Sequence, residues 1–286
     1  MNTVKLLALD LDDTLLRSDL TISSRTKRVL KKVEASGVVV VLASGRAPRA
    51  MERYAHELAL HKRPGYLVCN NGTTIQESHT GTIIRETFLP VELALIVFDL
   101  IDAEGLPVQI YDDDTIYVSR RNEFADQDQK LTGFRQVVVE NFRSMIAQGC
   151  LKLVIPGDPM LLRPLESILK TYVGDRVTIF TSKPYFLEVL PPDTGKGEAL
   201  AFVVHKLGIP RESVVAVGDS MNDESMIRWA GVGVAMRNGD ERIKAMANLV
   251  TDRTNEDDGV ADMIERFVLG PEEFPPRQDQ GGFSAG

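Results

Sequence analysis

Cysteine is scarce in this sequence of 286 residues, which contains only Cys69 and Cys150. The two lie far apart, and neither has a histidine at the spacing of a zinc ligand. A zinc site or a disulfide framework is therefore not expected. Two reduced thiols in a cytoplasmic protein are the simplest interpretation.

Long apolar runs are also missing. No segment approaches the roughly 20 apolar residues of a transmembrane helix, and Asp10 interrupts the apolar stretch near the N-terminus that a signal peptide would need. The net charge of −8 comes from interspersed acids and bases, which argues against a nucleic-acid surface. We expect a cytoplasmic protein with neither a membrane nor a nucleic-acid partner, acting as a monomer or small homo-oligomer.

Short apolar runs alternate with amphipathic segments at both ends of the sequence. Residues 4–9, 38–42 and 66–69 are typical of buried strands, and residues 22–35 are typical of a helix. The alternation returns after the two prolines that precede residue 193. This order predicts the α/β class, with a doubly wound parallel-sheet (Rossmann-like) core. We assign residues 1–85 and 189–270 to that core.

The pattern changes between residues 86 and 188, where helical segments mix with short strands. We predict that this part is an α+β cap domain of helices and antiparallel strands, inserted into the core. Three consecutive aspartates at 112–114 could bind a metal, but a hairpin turn explains them more simply. Residues 271–286 are rich in Pro, Gly and Gln, and we predict a disordered tail there.

Polar residues follow three of the predicted core strands. Asp10 and Asp12 end the first, the pair Ser44-Gly45 ends the second, and GDSMND at residues 218–223 ends a later one. The carboxyl ends of parallel strands meet at one edge of a sheet. Each segment alone has an ordinary explanation, such as a solvated turn or a helix N-cap. Their convergence on one edge favours a functional site.

The residue types at this edge suit phosphoryl transfer. The carboxylates of Asp10 and Asp219 are suitable ligands for Mg²⁺. Ser44 with its neighbouring N–H groups, and Lys196 at a helix start, would bind an anion beside the metal. Asp12 suits a general acid or base. The sequence has no P-loop, and none of its four histidines lies in these motifs, so neither a P-loop NTPase nor phosphohistidine chemistry is indicated.

Four motifs, in this order, resemble those of the haloacid dehalogenase-like hydrolase superfamily. They read DLDDTLL at residues 10–16, ASGR at 43–46, GKG at 195–197 and GDSMND at 218–223. The Asn-Gly pair at 71–72, FLEV at 186–189 and the large insert between the second and third motifs resemble the Cof-type phosphatases. The resemblance covers nearly the whole sequence apart from the tail.

The resemblance implies a role for each motif residue. Asp10 would be the nucleophile that forms an aspartyl-phosphate, and Asp12 would protonate the leaving oxygen and then activate water. The implied ligands of Mg²⁺ are Asp10, the backbone carbonyl of Asp12, and Asp219, with Asp223 supporting them. The groups implied to bind phosphoryl oxygens are Ser44, Gly45, Lys196 and Asn222.

The implied activity is Mg²⁺-dependent hydrolysis of a small phosphorylated metabolite. Sugar phosphates and cofactors such as flavin mononucleotide or pyridoxal phosphate fit the resemblance. A phosphomutase on the same scaffold is an alternative, and so is a non-catalytic metabolite-binding regulator, although the presence of Asp12 and Lys196 argues against the regulator. We expect Asp10, beside Mg²⁺, to keep a low pKa and Asp12 to titrate higher.

The cap is expected to close over the substrate and contact its leaving group. No motif marks the residues that would do so. Arg120, Arg121, Lys183 and Tyr185 are candidates, but a solvated surface position is the simpler interpretation of each. Asp13 occupies a position where many members of the superfamily have glycine, and we attach no role to it.

Overall fold

The computed structural model describes residues 4–112 and 114–276. Within them the strands, in chain order, are β1 (Leu6–Leu9), β2 (Val39–Ala43), β3 (Tyr66–Cys69), β4 (Thr74–Glu77), β5 (Ile83–Glu86), β6 (Gln109–Asp112), β7 (Thr115–Val118), β8 (Arg135–Val138), β9 (Leu153–Pro156), β10 (Thr178–Lys183), β11 (Phe186–Leu190), β12 (Val214–Gly218), β13 (Val232–Ala235) and β14 (Leu249–Val250). The helices are α1 (Ser24–Ala35), α2 (Pro48–Glu57), α3 (Val91–Ala103), α4 (Glu123–Thr132), α5 (Phe142–Ile146), α6 (Pro159–Val173), α7 (Lys196–Leu207), α8 (Glu224–Trp229), α9 (Glu241–Met246) and α10 (Gly259–Met263).

The larger sheet has the order β14-β13-β12-β1-β2-β3-β4-β5. Pairing is parallel from β14 through β3, and the hairpin strands β4 and β5 continue the sheet in antiparallel fashion. Each of β1, β3 and β12 is buried along its whole length, as expected for a parallel sheet covered on both faces. The predicted α/β class with a doubly wound parallel core is therefore confirmed.

Helices α1 and α2 begin where the local sequence supplies an N-cap or an N-terminal proline. Ser23 accepts a hydrogen bond from the N–H of Thr26 and so starts α1, and Pro48 opens α2. Apolar side chains of α1 and α2 pack on one face of the sheet, and those of α7 and α8 pack on the other. The strand ends that carry the motifs therefore lie between two layers of helices.

The second sheet belongs to the inserted segment and has the order β10-β11-β9-β6-β7-β8. Helices α3, α5 and α6 pack against it around a core of their own. All its pairs are antiparallel except β7 with β8, which are parallel. This corrects the expectation of antiparallel strands throughout. Two elements of this segment, β8 and α5, were not predicted, because each is short and has mixed polarity.

The structure also shifts two of the predicted boundaries. Strand β11 runs to Leu190 and pairs there with Thr178, so the boundary drawn at residue 188 cuts through a strand of the cap sheet. Phe274 stacks on Phe267 with ring centroids 5.1 Å apart and packs against the core, so the boundary drawn at residue 271 for a disordered tail lies too early. Residues 277–286 and Asp113 lie outside the described part of the chain.

Both cysteines are buried free thiols. Burial raises the pKa of the Cys150 thiol to about 12 and that of Cys69 further still. Among the described residues, no helix is both long and apolar enough to cross a membrane.

Candidate active site

The three strand ends that carry polar motif residues meet at one edge of the core sheet. Leu9 of β1 lies level with Leu42 of β2 and with Val217 of β12, in two parallel pairings. The residues that follow these strands, Asp10, Ser44 and Asp219, are consequently neighbours, and all three are buried. The predicted convergence of these side chains is present in the structure.

Lys196 lies at the centre of this group. Its ammonium donates to Asp10 Oδ1 at 2.5 Å and to Asp223 Oδ1 at 2.6 Å, and its side chain is 0 % exposed. Burial disfavours the charged amine, but the two carboxylates outweigh it and raise the pKa of Lys196. Gly72, at φ +97°, lets the turn after β3 approach the start of α7, since a Cβ there would lie 2.1 Å from the Gly195 carbonyl oxygen.

Three buried carboxylates, those of Asp10, Asp219 and Asp223, have oxygens within 4.8 Å of one another. Burial raises the pKa of Asp219 well above its ordinary value, and repulsion from Asp10 and Asp223 adds to this. A divalent cation would relieve that repulsion, so the donor set fits Mg²⁺. Thr14 already donates a hydrogen bond of 3.0 Å to Asp219 Oδ1 and orients it.

Asp223 differs from the other two carboxylates because both its oxygens are engaged. Oδ1 accepts from Lys196, and Oδ2 accepts from the N–H groups of Asp219 and Ser220 at 2.9 and 3.1 Å. Its carboxylate therefore supports the loop that carries Asp219. The supporting role that the resemblance implies for Asp223 stays a prediction.

The segment after β2 presents donors to the same space. The Ser44 hydroxyl accepts from the N–H of Arg46 at 3.2 Å, and the Gly45 N–H has no acceptor among the described residues. Asn222 donates to Asn71 Oδ1 at 3.0 Å, which leaves its second amide hydrogen available. Ser44, Gly45 and Asn222 all line one cavity together with Asp10 and Asp12. This arrangement suits the binding of an anion beside the carboxylates.

Asp12 is held by a residue whose role the sequence did not reveal. The Arg46 guanidinium donates to both its carboxylate oxygens, at 2.8 and 2.6 Å, and also to the Leu131 carbonyl of the cap at 3.2 Å. Burial disfavours ionisation of Asp12, but these hydrogen bonds and the charge of Arg46 hold its pKa below the usual range. A bidentate arginine pair is a strong, directional contact.

Without a metal ion, the pKa values of Asp10 and Asp12 fall in the opposite order to the one predicted for Asp10 beside Mg²⁺. Burial, with repulsion from Asp223, raises the pKa of Asp10 to about 7 against the opposing effect of Lys196, while Arg46 lowers that of Asp12. The prediction assumed Mg²⁺ beside Asp10 and could not include Arg46, whose pairing depends on the tertiary structure.

Lys183 is not a solvated surface residue, which corrects the simpler interpretation given above. It lines the cavity and forms an ion pair with Asp13 across the boundary between cap and core. Asp13 has φ +61°, a conformation in which glycine is favoured. Arg120 and Arg121 are exposed and pair with acids of the cap, as the surface interpretation expects.

The cap contributes a further polar group that sequence reasoning missed. Lys152, just before β9, forms a buried ion pair of 2.8 Å with Glu188 of β11. Glu188 also accepts from Asn71 at 2.9 Å, and Lys152 donates to the Gly45 carbonyl at 2.9 Å. Of the two residues in this ion pair, only Glu188 lies in a sequence feature noted above, the FLEV run at 186–189. Cap residues thus close the cavity over the strand ends, with Tyr111, Asp128 and Phe134 in its wall.

A buried nucleophile candidate, an acidic cluster and anion donors under an inserted cap define a phosphoryl-transfer enzyme of the α/β class. The chain belongs to the haloacid dehalogenase-like hydrolase family, whose profile matches residues 7–264. The predicted family and the predicted enzyme class, a phosphoric monoester hydrolase, are confirmed.

Similar proteins support the same assignment over nearly the full length. The 5-amino-6-(5-phospho-D-ribitylamino)uracil phosphatase YcsE of Bacillus subtilis is 31 % identical, with 93 % of this chain and 96 % of that protein aligned. The HMP-PP phosphatase of Escherichia coli is 28 % identical, over 84 % and 87 % of the two chains. A haloacid dehalogenase-like hydrolase from Bacteroides thetaiotaomicron superimposes with a TM-score of 0.82 at 34 % identity, covering 92 % of this chain and 99 % of the other.

Proposed function

We propose that this protein is a Mg²⁺-dependent phosphatase that hydrolyses small phosphorylated metabolites through an aspartyl-phosphate on Asp10. One observation carries the proposal. Lys196 holds Asp10 Oδ1, while Asp10 Oδ2 accepts no hydrogen bond from the described residues and Asp10 lines the cavity. A carboxylate fixed by one oxygen and open at the other is arranged for attack on an electrophile in that cavity.

In the first step, Asp10 Oδ2 forms a bond to phosphorus and the ester P–O bond breaks. Ser44 Oγ, the Gly45 N–H, Lys196 and Asn222 bind the phosphoryl oxygens and stabilise the charge that develops on them. Asp12 gives its proton to the leaving oxygen. Arg46 donates to both oxygens of Asp12 and lowers its pKa, so at least one of these hydrogen bonds has to break before Asp12 can carry that proton.

In the second step, Asp12 takes a proton from a water molecule that attacks the same phosphorus. The Asp10–phosphorus bond breaks, which regenerates the carboxylate and releases inorganic phosphate. Mg²⁺ held by Asp10, Asp219 and the Asp12 carbonyl would neutralise charge on the phosphoryl group. Asp223 would keep Asp219 and Lys196 in place.

The names of the relatives indicate the size and type of substrate. Two of them carry the names of metabolite phosphatases, which supports a small phosphorylated metabolite for this chain as well. A sugar phosphate or a phosphorylated cofactor fits equally well. Mg²⁺ dependence and a cytoplasmic location remain predictions.

The decisive experiment measures phosphate release from a panel of phosphorylated metabolites, with Mg²⁺ and with chelator. We expect release only with Mg²⁺, and none from Asp10→Asn. Appreciable activity in a folded Asp10→Asn variant would remove Asp10 as nucleophile. Transfer of the phosphoryl group between two positions of a sugar, with little free phosphate, would instead support the phosphomutase.

A further inference from the structure

The structure assigns to the buried Lys152–Glu188 ion pair of the cap the role of positioning the phosphate-binding residues of the core. This inference rests on the proposed function and extends it, because it gives the cap a part in binding the phosphoryl group as well as the leaving group. The two side chains are 4 % and 5 % exposed, and they stand 2.8 Å apart. Neither belongs to the four motifs.

The first branch of the contact network starts at Lys152. Its ammonium donates to the Gly45 carbonyl at 2.9 Å. The N–H at the other end of that peptide group, that of Arg46, donates to Ser44 Oγ at 3.2 Å. Lys152 therefore fixes the peptide plane that orients the Ser44 hydroxyl. It also holds Gly45, which lines the cavity and whose own N–H has no acceptor among the described residues.

The second branch starts at Glu188. Its Oε2 accepts from Asn71 Nδ2 at 2.9 Å, and Asn71 Oδ1 accepts from Asn222 Nδ2 at 3.0 Å. Asn71 is fully buried and has φ +55°. The amide of Asn71 thus donates one hydrogen to Glu188 and accepts from Asn222 with its oxygen, which fixes the direction in which Asn222 faces the cavity.

Both branches depend on the same two charges. If Glu188 lost its charge, Lys152 would keep its hydrogen bond to the Gly45 carbonyl but would lose the opposite charge beside it. Asn71 would then donate to a neutral acceptor instead of a charged one. A buried pair of this kind is weak evidence for stability by itself, since its desolvation is costly. The pair is connected to two predicted phosphate-binding residues, to Ser44 through the Gly45 carbonyl and to Asn222 through Asn71. These connections point to a positioning role instead.

Substituting a residue that positions the phosphate-binding groups should lower kcat/KM equally for every substrate, because all substrates share the phosphoryl group. A residue that contacts the leaving group should affect substrates unequally. This difference separates the two roles that a cap residue can have. It also separates positioning from mere stability, since a stability role would not change the affinity of the folded protein for phosphate.

The test compares Lys152→Met, Glu188→Gln and the double variant with wild type. Arg120→Met is the matched control, because Arg120 forms an exposed ion pair of the cap with Asp102. We expect kcat/KM to fall by about 10- to 100-fold, the range typical of residues that orient the ligands of a metal site. The fall should be the same for p-nitrophenyl phosphate and for the best metabolite of the panel. The inhibition constant of orthophosphate should rise in parallel, and Arg120→Met should behave as wild type.

Two results would overturn the inference. One is a loss confined to one leaving group, which would make the pair a specificity contact. The other is unchanged kcat/KM and orthophosphate affinity in folded variants. The double variant leaves no unpaired charge, so it should fold even if a single variant does not. If the wild type hydrolyses no ester, the proposed function fails, and calorimetric titration of orthophosphate with Mg²⁺ still tests the positioning role.

Discussion

The ammonium of Lys196 lies 2.5 Å from Asp10 Oδ1 and 2.6 Å from Asp223 Oδ1, with no part of the lysine side chain exposed. One buried cation thus faces two carboxylates directly, and the third carboxylate of the cluster, Asp219, lies close by. The cluster holds more negative than positive charge. That excess accounts for the raised pKa values of Asp10 and Asp219 beyond what burial alone produces.

Removing Lys196 should therefore destabilise the fold as well as abolish activity. Breaking a buried ion pair from one side typically costs about 3–5 kcal/mol. We expect Lys196→Met to lower the free energy of unfolding, measured with urea in chelator, by an amount in that range. Lys27→Met is the control, because its pair with Glu57 is partly exposed and should contribute at most about 1 kcal/mol. Equal effects of the two substitutions would contradict the central role given to Lys196.

The same excess of charge predicts how stability depends on pH without metal. Because the pKa of Asp10 in the folded state, about 7, lies above its ordinary value of 3.8, the folded protein binds this proton more tightly. In chelator, protonation of Asp10 should therefore increase the free energy of unfolding as the pH falls from 8 to 5. We expect the urea midpoint to rise over that interval, and to rise less in Asp10→Asn. A midpoint that depends on pH equally in both proteins would show that Asp10 has no raised pKa.

Mg²⁺ should stabilise the folded protein if the carboxylates bind it. At a free concentration of about 100 times its dissociation constant, a ligand that binds only the folded state adds about 2.7 kcal/mol. We expect the thermal midpoint of the wild type to rise with Mg²⁺, and that of Asp219→Asn to stay constant. Asp126→Asn should respond as the wild type does, because Asp126 pairs with Arg121 on the cap surface. A shift retained in Asp219→Asn would remove Asp219 from the ligands.

Most of the site on the core could be anticipated because a parallel sheet brings its strand ends together whatever lies between them. Asp10, Ser44 and Asp219 follow three adjacent strands, so their proximity depends on strand order alone. The contacts of the cap could not be anticipated in the same way. Whether Lys152 meets Glu188 depends on the antiparallel register of β9 with β11, which places Val154 opposite Glu188, and no pattern in the sequence specifies that register.

Arg46 illustrates a second limit. It was visible in the ASGR motif, but its position after a strand indicates only that it lies near the site. Its pairing with Asp12 and its contact with the Leu131 carbonyl depend on the side-chain conformation and on the placement of α4. The lowered pKa of Asp12 could not be predicted for this reason, since electrostatic effects follow tertiary contacts that the sequence does not display.

The ion pair between Lys183 of β10 and Asp13 of the core joins the cap to the loop that follows β1. Because both side chains keep some exposure, the pair should contribute no more than about 1 kcal/mol to closure. Lys183→Met and Asp13→Gly should therefore each raise KM about two- to fivefold, a range consistent with that energy. Added salt should raise the wild-type KM towards that of the variants, since it screens exposed charges.

The double variant makes this prediction specific to the pair. If Lys183 and Asp13 act through each other, Lys183→Met combined with Asp13→Gly should raise KM no further than either substitution alone. Glycine suits the positive φ of position 13, so Asp13→Gly should not destabilise the loop. Multiplicative effects in the double variant would show that each residue acts separately, for instance with Lys183 binding the substrate directly. Steady-state KM values for the four proteins at low and high ionic strength decide between these outcomes.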